Sequence, residues 1–396
     1  MITRTVIEPV MPTQRLKPLE DLAYVVIEAS ARLSAKLREP LRAEVAGITR
    51  WMHCYYSNLI EGQQTRVRDI ESALKRDFAA EPEKRDLQKL ALAHLDTQRW
   101  AAACSDSPYS GEFIRGLHRS FYAALPPQMA MATTSSGAKE PLVAGELRDR
   151  EVEVGAHVGP PPELVPDLLG HFRTRYESTE VSRLHGIVAI GASHHRLAWI
   201  HPFRDGNGRV VRLFSEAVIR RLGIDSGGLW SLSRGLALQR REYYDRLANA
   251  DQVRSSTSAD DGRGHLSERA LWDFCHFTLT VMIDQIAFMD RMLDADGLER
   301  RIDRHVHVVE PAVAAEADRV FLLLREALVR GQFPRGEAGR IVGASERTGR
   351  LVLALAVDAG LLISDTPKSP VRLALPAKVL DSYFPQLFPP AQMDRL

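Results

Sequence analysis

The stretch His201-Pro-Phe-Arg-Asp-Gly-Asn-Gly-Arg-Val-Val-Arg212 decides how this chain is read. Gly206-Asn207-Gly208 lies between Phe203 and a predicted helix from Arg209 to Arg221 that ends at Gly223. Glycines permit backbone angles that turn successive N–H groups toward one point. Such groups beside a helix N-terminus make an anion site suited to phosphate. Arg209 and Arg212 are three apart, so both project from one helix face, and two guanidiniums there favour a polyphosphate. Asp205 is badly placed for an anion on charge alone. It fits as the ligand of a divalent cation, because Mg2+ takes one or two carboxylates plus substrate phosphates. His201 accepts a proton near neutral pH.

Each part alone has an ordinary explanation. A Gly-Asn-Gly turn is usually just a turn, and a His before Pro is usually structural. The joint string makes coincidence improbable. Other nucleotide signatures are missing: there is no GxxxxGK[ST] loop and no GxGxxG after a strand. His194, His195 and His201 match no standard zinc spacing, and His195 is expected to pack on the preceding helix.

The bulk composition sets few further limits. With 396 residues there is room for two or three domains; 45% are hydrophobic and 26% charged, and the formal net charge is +1. Any basic site must therefore be local. The three cysteines, Cys54, Cys104 and Cys275, form no CxxC pair, so a reduced, cytoplasmic protein is expected. The N-terminus lacks an apolar signal region, and no run is apolar enough to span a bilayer.

Outward from the loop the chain is mostly helical. Val45, Ile48, Met52, Tyr55 and Leu59 form a helical stripe ended by Gly62. Helices are predicted from about Thr65, over 86–103 and over 113–124, the last stopped by Pro126-Pro127. Residues 129–162 suggest a loop and a short β-hairpin, with Val152 and Val154 in alternation before Pro160-Pro-Pro162. Helices resume over 166–177, 181–198, 238–250 and 268–293, with Ser255 to Gly264 as an exposed loop. From Val313 the pattern is helix (317–330), helix-turn-helix (337–342 and 346–359) and hairpin, which suggests a winged helix. The tail from Tyr383 is expected to be irregular.

His201 to Arg212 resembles the Fic signature HxFx(D/E)GNGRxxR at every specified position. The resemblance covers about residues 40–295. It implies a mostly α fold: a Fic-type helical bundle with a small β-hairpin flap, followed by a C-terminal winged-helix domain. The expected divisions are 1–110 with an inhibitory helix at about 43–62, a catalytic core at 111–300, and a winged-helix domain and tail at 310–396. It also implies transfer of AMP from ATP to a Ser, Thr or Tyr hydroxyl of a target protein. His201 is then the base and Phe203 the anchor of the loop. Asp205 is the ligand of Mg2+, with Mn2+ as an alternative. Asn207 and the Gly206 and Gly208 backbone line the anion hole, and Arg209 and Arg212 grip the distal phosphates.

Upstream, Ser57-Asn-Leu-Ile-Glu61-Gly62 resembles the family's inhibitory motif (S/T)xxxE(G/N), although Gln63 stands where Asn often follows. Ser57 and Glu61 share one helix face. The resemblance pairs Glu61 with Arg212, so that a carboxylate competes with a phosphate for one guanidinium. A Glu before a Gly at a helix end is common, and it is the full signature downstream that gives this one weight. Gly145-Glu-Leu-Arg148 and Val152-Glu153-Val154 resemble the flap, which holds a target segment by main-chain pairing. Tyr243 and Tyr244 are placed beside the adenine, and Asn249 is a hydrogen-bonding candidate.

The C-terminal segment from Arg330 to Arg350 carries five arginines, at 330, 335, 340, 347 and 350, against Glu337 and Glu346. Ser345 is a fitting N-cap for a helix that could enter a major groove. Winged helices also bind proteins and form dimers. The expected partners are therefore ATP and a target protein, the chain itself included, with a homodimer or DNA contact open and no membrane. Two alternatives accompany AMP transfer: a nucleotide-sensing DNA-binding regulator, and removal of AMP with Glu61 positioning water.

Overall fold

The computed structural model describes residues 4–134, 137–155, 157–254 and 265–388. The loop predicted over 255–264 lies outside them. Helices α1 (Leu16–Ser34), α2 (Leu41–Ile60), α3 (Val67–Leu74), α4 (Pro82–Ala103) and α5 (Gly111–Ala123) come first. Two small hairpins follow, β1 (Met131–Thr133) with β2 (Lys139–Pro141) and β3 (Glu153–Val154) with β4 (His157–Val158). Next come α6 (Val165–Glu177), α7 (Arg183–Ile200), α8 (Asn207–Arg221), α9 (Leu232–Leu238), α10 (Arg240–Ala250), α11 (Glu268–Met292) and α12 (Ala295–Arg304). The chain then continues through α13 (Ala317–Arg330), β5 (Gln332–Phe333), α14 (Ala338–Ile341), α15 (Glu346–Asp358), β6 (Leu362–Ile363), β7 (Val371–Leu373) and α16 (Ala377–Tyr383).

The centre of the bundle is α7, whose residues from Gly186 to Leu197 are all buried. A helix apolar on every side belongs inside a core. It packs on α11, α8, α6 and α1. The motif loop leaves its C-terminus and turns back into α8, so the site sits at the end of the buried central helix. The predicted stripe on α2 is buried at Val45, Ile48, Met52 and Tyr55, and Gly62 turns with φ +77°. This stripe docks α2 against α4, α8 and α9.

Three elements differ from the sequence expectation. α1 was not anticipated: its buried face, Leu19, Ala23, Val26, Ala29, Ser30 and Leu33, is rich in small residues that carry little hydrophobic signal. The single helix expected over 238–250 has an additional helix before it, and the two meet at Gln239 (φ −115°, ψ 36°), with no Gly or Pro to mark the break. α12 was also missed.

In the C-terminal part, α13, α14 and α15 pack beside a three-stranded antiparallel sheet of order β5-β7-β6. Ser345 caps α15 by accepting from the Thr348 N–H. Arg330 and Arg340 both bind Glu337, and Arg350 binds Glu346. Arg372 joins this part to α2 through Glu44 at 2.8 Å. The described residues beyond α16, 384–388, are irregular, as expected, but packed rather than loose. Leu387 and Phe388 are buried, the Tyr56 hydroxyl donates to the Leu387 carbonyl at 2.9 Å, and Arg234 donates to the Gln386 carbonyl at 3.0 Å. Leu387→Ala is therefore expected to destabilise the fold by about 2–5 kcal/mol. Chemical denaturation measures this; an unchanged midpoint would show that the tail does not contribute to the core.

Candidate active site

The motif loop is held by its own side chains and by residues remote in sequence. His201 ends α7 in the left-handed region (φ 49°, ψ 62°), which turns the chain sharply. Phe203 is fully buried and stacks on the His118 ring, with centroids 4.1 Å apart. The Asn207 side chain closes the loop on the Phe203 backbone: its Nδ2 donates to the Phe203 carbonyl at 2.8 Å and its Oδ1 accepts from the Phe203 N–H at 2.9 Å. Both ends of that amide are thus engaged, and what Asn207 offers an anion is its backbone at the start of α8. Gly206 caps that helix with φ +78°, and a Cβ there would strike the Tyr122 ring. Glycine is required at this position on both counts.

Arg148 is the strongest tie between loop and flap. It is almost fully buried, and its guanidinium donates to the carbonyls of His201 (2.8 Å), Arg150 (3.0 Å) and Pro160. Its own N–H donates to the Pro202 carbonyl at 2.9 Å. A cation that satisfies several carbonyls at once fixes their relative positions. A β3–β4 hairpin stands where the flap is expected, with Glu153 paired to Val158 and Val154 to His157. The β1–β2 hairpin is tied to the loop through Glu140, which binds Arg204 and Arg150.

These elements enclose a cleft of about 1000 Å³. Its walls include Glu61, His201, Asp205, the Gly206–Gly208 backbone, Arg212, Tyr243, Tyr244 and Asn249. Burial, with help from the His157 imidazole, pushes His201 down to about 4, so it is neutral and ready to accept a proton at physiological pH. Asp205 opens into the cleft and accepts the Gly206 N–H at 2.5 Å. Crowding by the surrounding protein holds its carboxyl above the usual range, against the pull of that N–H and of Arg209. Among the described residues it makes no ion pair. A carboxylate in this position fits a divalent cation, and Asp205 would hold it. Tyr243 is buried and bonds His194 at 2.8 Å, so it forms the floor, whereas Tyr244 presents an exposed ring. The exposed Asn249 accepts from Gln252 at 3.3 Å.

The end of α2 reaches both arginines of the motif. Arg212, only 2% exposed, donates from Nε to Ser57 Oγ at 2.9 Å, and from Nη2 to the Ser57 carbonyl at 3.2 Å and to Glu61 Oε1 at 2.5 Å. Burial alone would lower the pKa of Arg212; Glu61 reverses this and raises it. Burial alone would raise Glu61, but Arg212 and Arg209 outweigh it and keep the carboxylate ionised. Arg209 donates to Gln63 at 2.7 Å and to Asn58 at 3.4 Å. Gln63, the departure from the common motif, is therefore engaged with the first arginine. A Cβ on Gly208 would lie 2.5 Å from Glu61 Oε1, so the carboxylate presses on the phosphate-binding turn itself.

His118, Arg148, Asn58 and Gln63 were not singled out as acting on the loop from sequence. Arg148 lay in the quoted pattern Gly145-Glu-Leu-Arg148, and Asn58 and Gln63 lay in or beside the quoted Ser57–Gly62 motif, but none was assigned a contact with the loop; His118 lay in no quoted pattern.

Residues 108–219 match the family model described as Fic/DOC family. It is 30% identical over 173 residues to "Protein adenylyltransferase Fic" of Nematostella vectensis, which covers 44% of this chain and 38% of that one. A protein of the same name from Drosophila mojavensis is 26% identical over 206 residues, 52% of this chain and 38% of its own. The chain thus aligns with well under half the length of these relatives. The fold is similar to that of a Fic family protein from Desulfovibrio desulfuricans, with a TM-score of 0.54 at 19% identity over 92% of this chain and 98% of that one. It is also similar to Fic-1 from C. elegans, with a TM-score of 0.53 at 17% identity over 71% and 74%. No helix among the described residues is long and apolar enough to cross a membrane.

Arg148→Met should leave several buried carbonyls without donors. The expected loss of stability is about 3 kcal/mol or more, together with rapid amide exchange across residues 145–160. Slow exchange in that segment would show that the flap is held by other contacts.

Proposed function

We propose that this protein is an autoinhibited protein adenylyltransferase, which transfers AMP from ATP to a hydroxyl of a target protein and releases pyrophosphate. The observation that carries this reading is Arg212, held by Ser57 and Glu61 beside a loop that carries His201 and the Gly206–Gly208 turn. The relatives' name, protein adenylyltransferase Fic, supports the reaction class.

In the reaction the neutral His201 accepts the proton of the target hydroxyl. The hydroxyl oxygen forms a bond to the α-phosphorus of ATP while the bond from that phosphorus to the pyrophosphate oxygen breaks. The start of α8 presents its N–H groups to the developing negative charge. A divalent cation held by Asp205 would neutralise phosphate charge during transfer. Arg209 and Arg212 bind the outer phosphates, and Tyr244 offers its exposed ring as a face for the base. The β3–β4 hairpin aligns the target segment by main-chain pairing.

In the present arrangement Glu61 occupies the guanidinium that the γ-phosphate needs, so ATP cannot seat in the productive pose. Glu61→Gly frees Arg212. A hydrogen bond to a charged group is worth about 1.5–3 kcal/mol, which corresponds to an increase on the order of ten- to a hundredfold. The reading of the chain as a DNA-binding regulator, carried by Arg347 and Arg350, has less support, because the relatives' printed name is that of an adenylyltransferase. AMP removal uses the same groups, and release of AMP from a modified target would favour it.

With α-labelled ATP, Glu61→Gly should raise protein labelling, self-labelling included, by at least about tenfold over wild type, and His201→Ala should abolish it. Failure of Glu61→Gly to label any protein with any of the four nucleotides would refute the proposal. In the Glu61→Gly protein, kcat/KM should be flat through neutral pH. It should fall on the acid side only as pH approaches about 4, where His201 becomes protonated. A midpoint near the ordinary histidine value of about 6.5 would contradict the depressed pKa.

A further inference from the structure

The contact between α2 and α8 extends past the candidate active site as a series of rungs. Residues three or four apart on a helix share a face. Arg212, Glu216 and Arg220 therefore line one side of α8, and Ser57, His53 and Arg50 line the facing side of α2. At the first rung Arg212 meets Ser57 and Glu61. At the second, Glu216 pairs with His53, while Ser231 bonds His53 at 2.9 Å and Ser233 donates to Glu216 at 3.2 Å. These two rungs are complementary. The third brings Arg50 toward Arg220, with Arg99 of α4 beside them. Burial lowers the pKa of Arg50, and the charges of Arg99 and Arg220 lower it further.

A cavity of about 460 Å³ opens at this third rung, on a different set of residues from the ATP cleft. Its walls include all three arginines, Gln98 and Trp230. Among the described residues Arg50 and Arg220 have no carboxylate partner, and Arg99 reaches only the neighbouring Asp96 on its own helix. Of the carboxylates that line the cavity, Glu216 pairs with His53 as above, and Asp225 accepts the Gly227 N–H at 3.2 Å. Gln98 is 3% exposed and donates to the Arg50 carbonyl at 3.4 Å, while its Oε1 is buried with no partner. Two guanidiniums without a carboxylate partner and a third paired only with Asp96, next to an unsatisfied buried acceptor, make an incomplete set of interactions.

We propose that this cavity is a second anion site, taking a small phosphate-bearing ligand. The phosphate lies among Arg50, Arg99 and Arg220, and a protonated oxygen or hydroxyl of the ligand donates to Gln98 Oε1. The size falls within the range of small-molecule sites, about 300–1,000 Å³. Such a ligand bridges α2 and α8 and completes the third rung. It thereby holds α2 in its docked position and reinforces the Glu61 contact with Arg212. That consequence rests on the autoinhibited reading; the binding itself does not.

The test is calorimetric titration of the full chain, without ATP, using ribose 5-phosphate and inorganic phosphate as probes. Saturable one-to-one binding is expected. Arg50→Ala and Arg220→Ala should each weaken it by at least roughly tenfold, since each removes a charge-assisted contact. Arg212→Ala should leave it intact, which separates this cavity from the ATP cleft. Arg50→Lys should recover part of the affinity, because charge is retained while the guanidinium fork is lost. Tighter binding of ribose 5-phosphate supports the site with a phosphate ester as occupant, and tighter binding of inorganic phosphate supports it with free phosphate. Absence of saturable binding by either probe, or equal affinity in wild type, Arg50→Ala and Arg220→Ala, would overturn the proposal. So would loss of binding in Arg212→Ala alone.

Discussion

Arg212 is a full charge in the interior of a helical bundle, and the arrangement around the loop depends on how that charge is satisfied. Removing a guanidinium from water costs several kcal/mol unless hydrogen bonds and an opposite charge replace the lost hydration. Here Ser57 supplies two acceptors and Glu61 supplies the charge. The same guanidinium sits one turn into α8, where the N-terminal N–H groups already favour an anion. Here a carboxylate from α2 satisfies Arg212, and under the proposed autoinhibition a phosphate competes with it for the same guanidinium. A competition of this kind needs no large motion, because displacing one side chain exchanges one partner for the other.

This constraint explains why α2 is embedded as it is. Its apolar stripe fixes its position, its far end is tied through Glu44 to Arg372, and the tail of the chain packs against Tyr55 and Tyr56 just before Ser57. Two of its facing rungs with α8 are complementary and the third is not. The helix that carries Glu61 is thus anchored at several points by parts of the chain far from the loop. Changes in those parts would reach the loop through α2.

How much of this was legible in the sequence depends on how local each feature is. The loop is contiguous: His201, Asp205, the two glycines and both arginines lie within twelve residues, so their chemistry and spacing are visible together. The stripe on α2 has the period of a helix and was equally plain. Glu61 was found only through its resemblance to a motif, since nothing in its local sequence points to a residue about 150 positions away. Arg148, His118 and Gln63 act across the fold, and their partners are backbone carbonyls, a ring face and a guanidinium that no spacing reveals. Asn207 shows the opposite difficulty. Its position was clear, but its side chain proved to close the loop on Phe203 rather than reach into the cleft. α1 escaped notice because Ala and Ser fill much of its buried face, and the break at Gln239 escaped because no Gly or Pro marks it.

The most direct test of the competition at Arg212 is structural: crystals of the wild-type and Glu61→Gly proteins, each with a non-hydrolysable ATP analogue bound. The γ-phosphate should contact the Arg212 guanidinium in Glu61→Gly, and in the wild type it should be displaced while Glu61 keeps its contact with Nη2. A wild-type complex in which the γ-phosphate and Glu61 both bind Arg212, with the α-phosphate posed as in Glu61→Gly, would contradict the account.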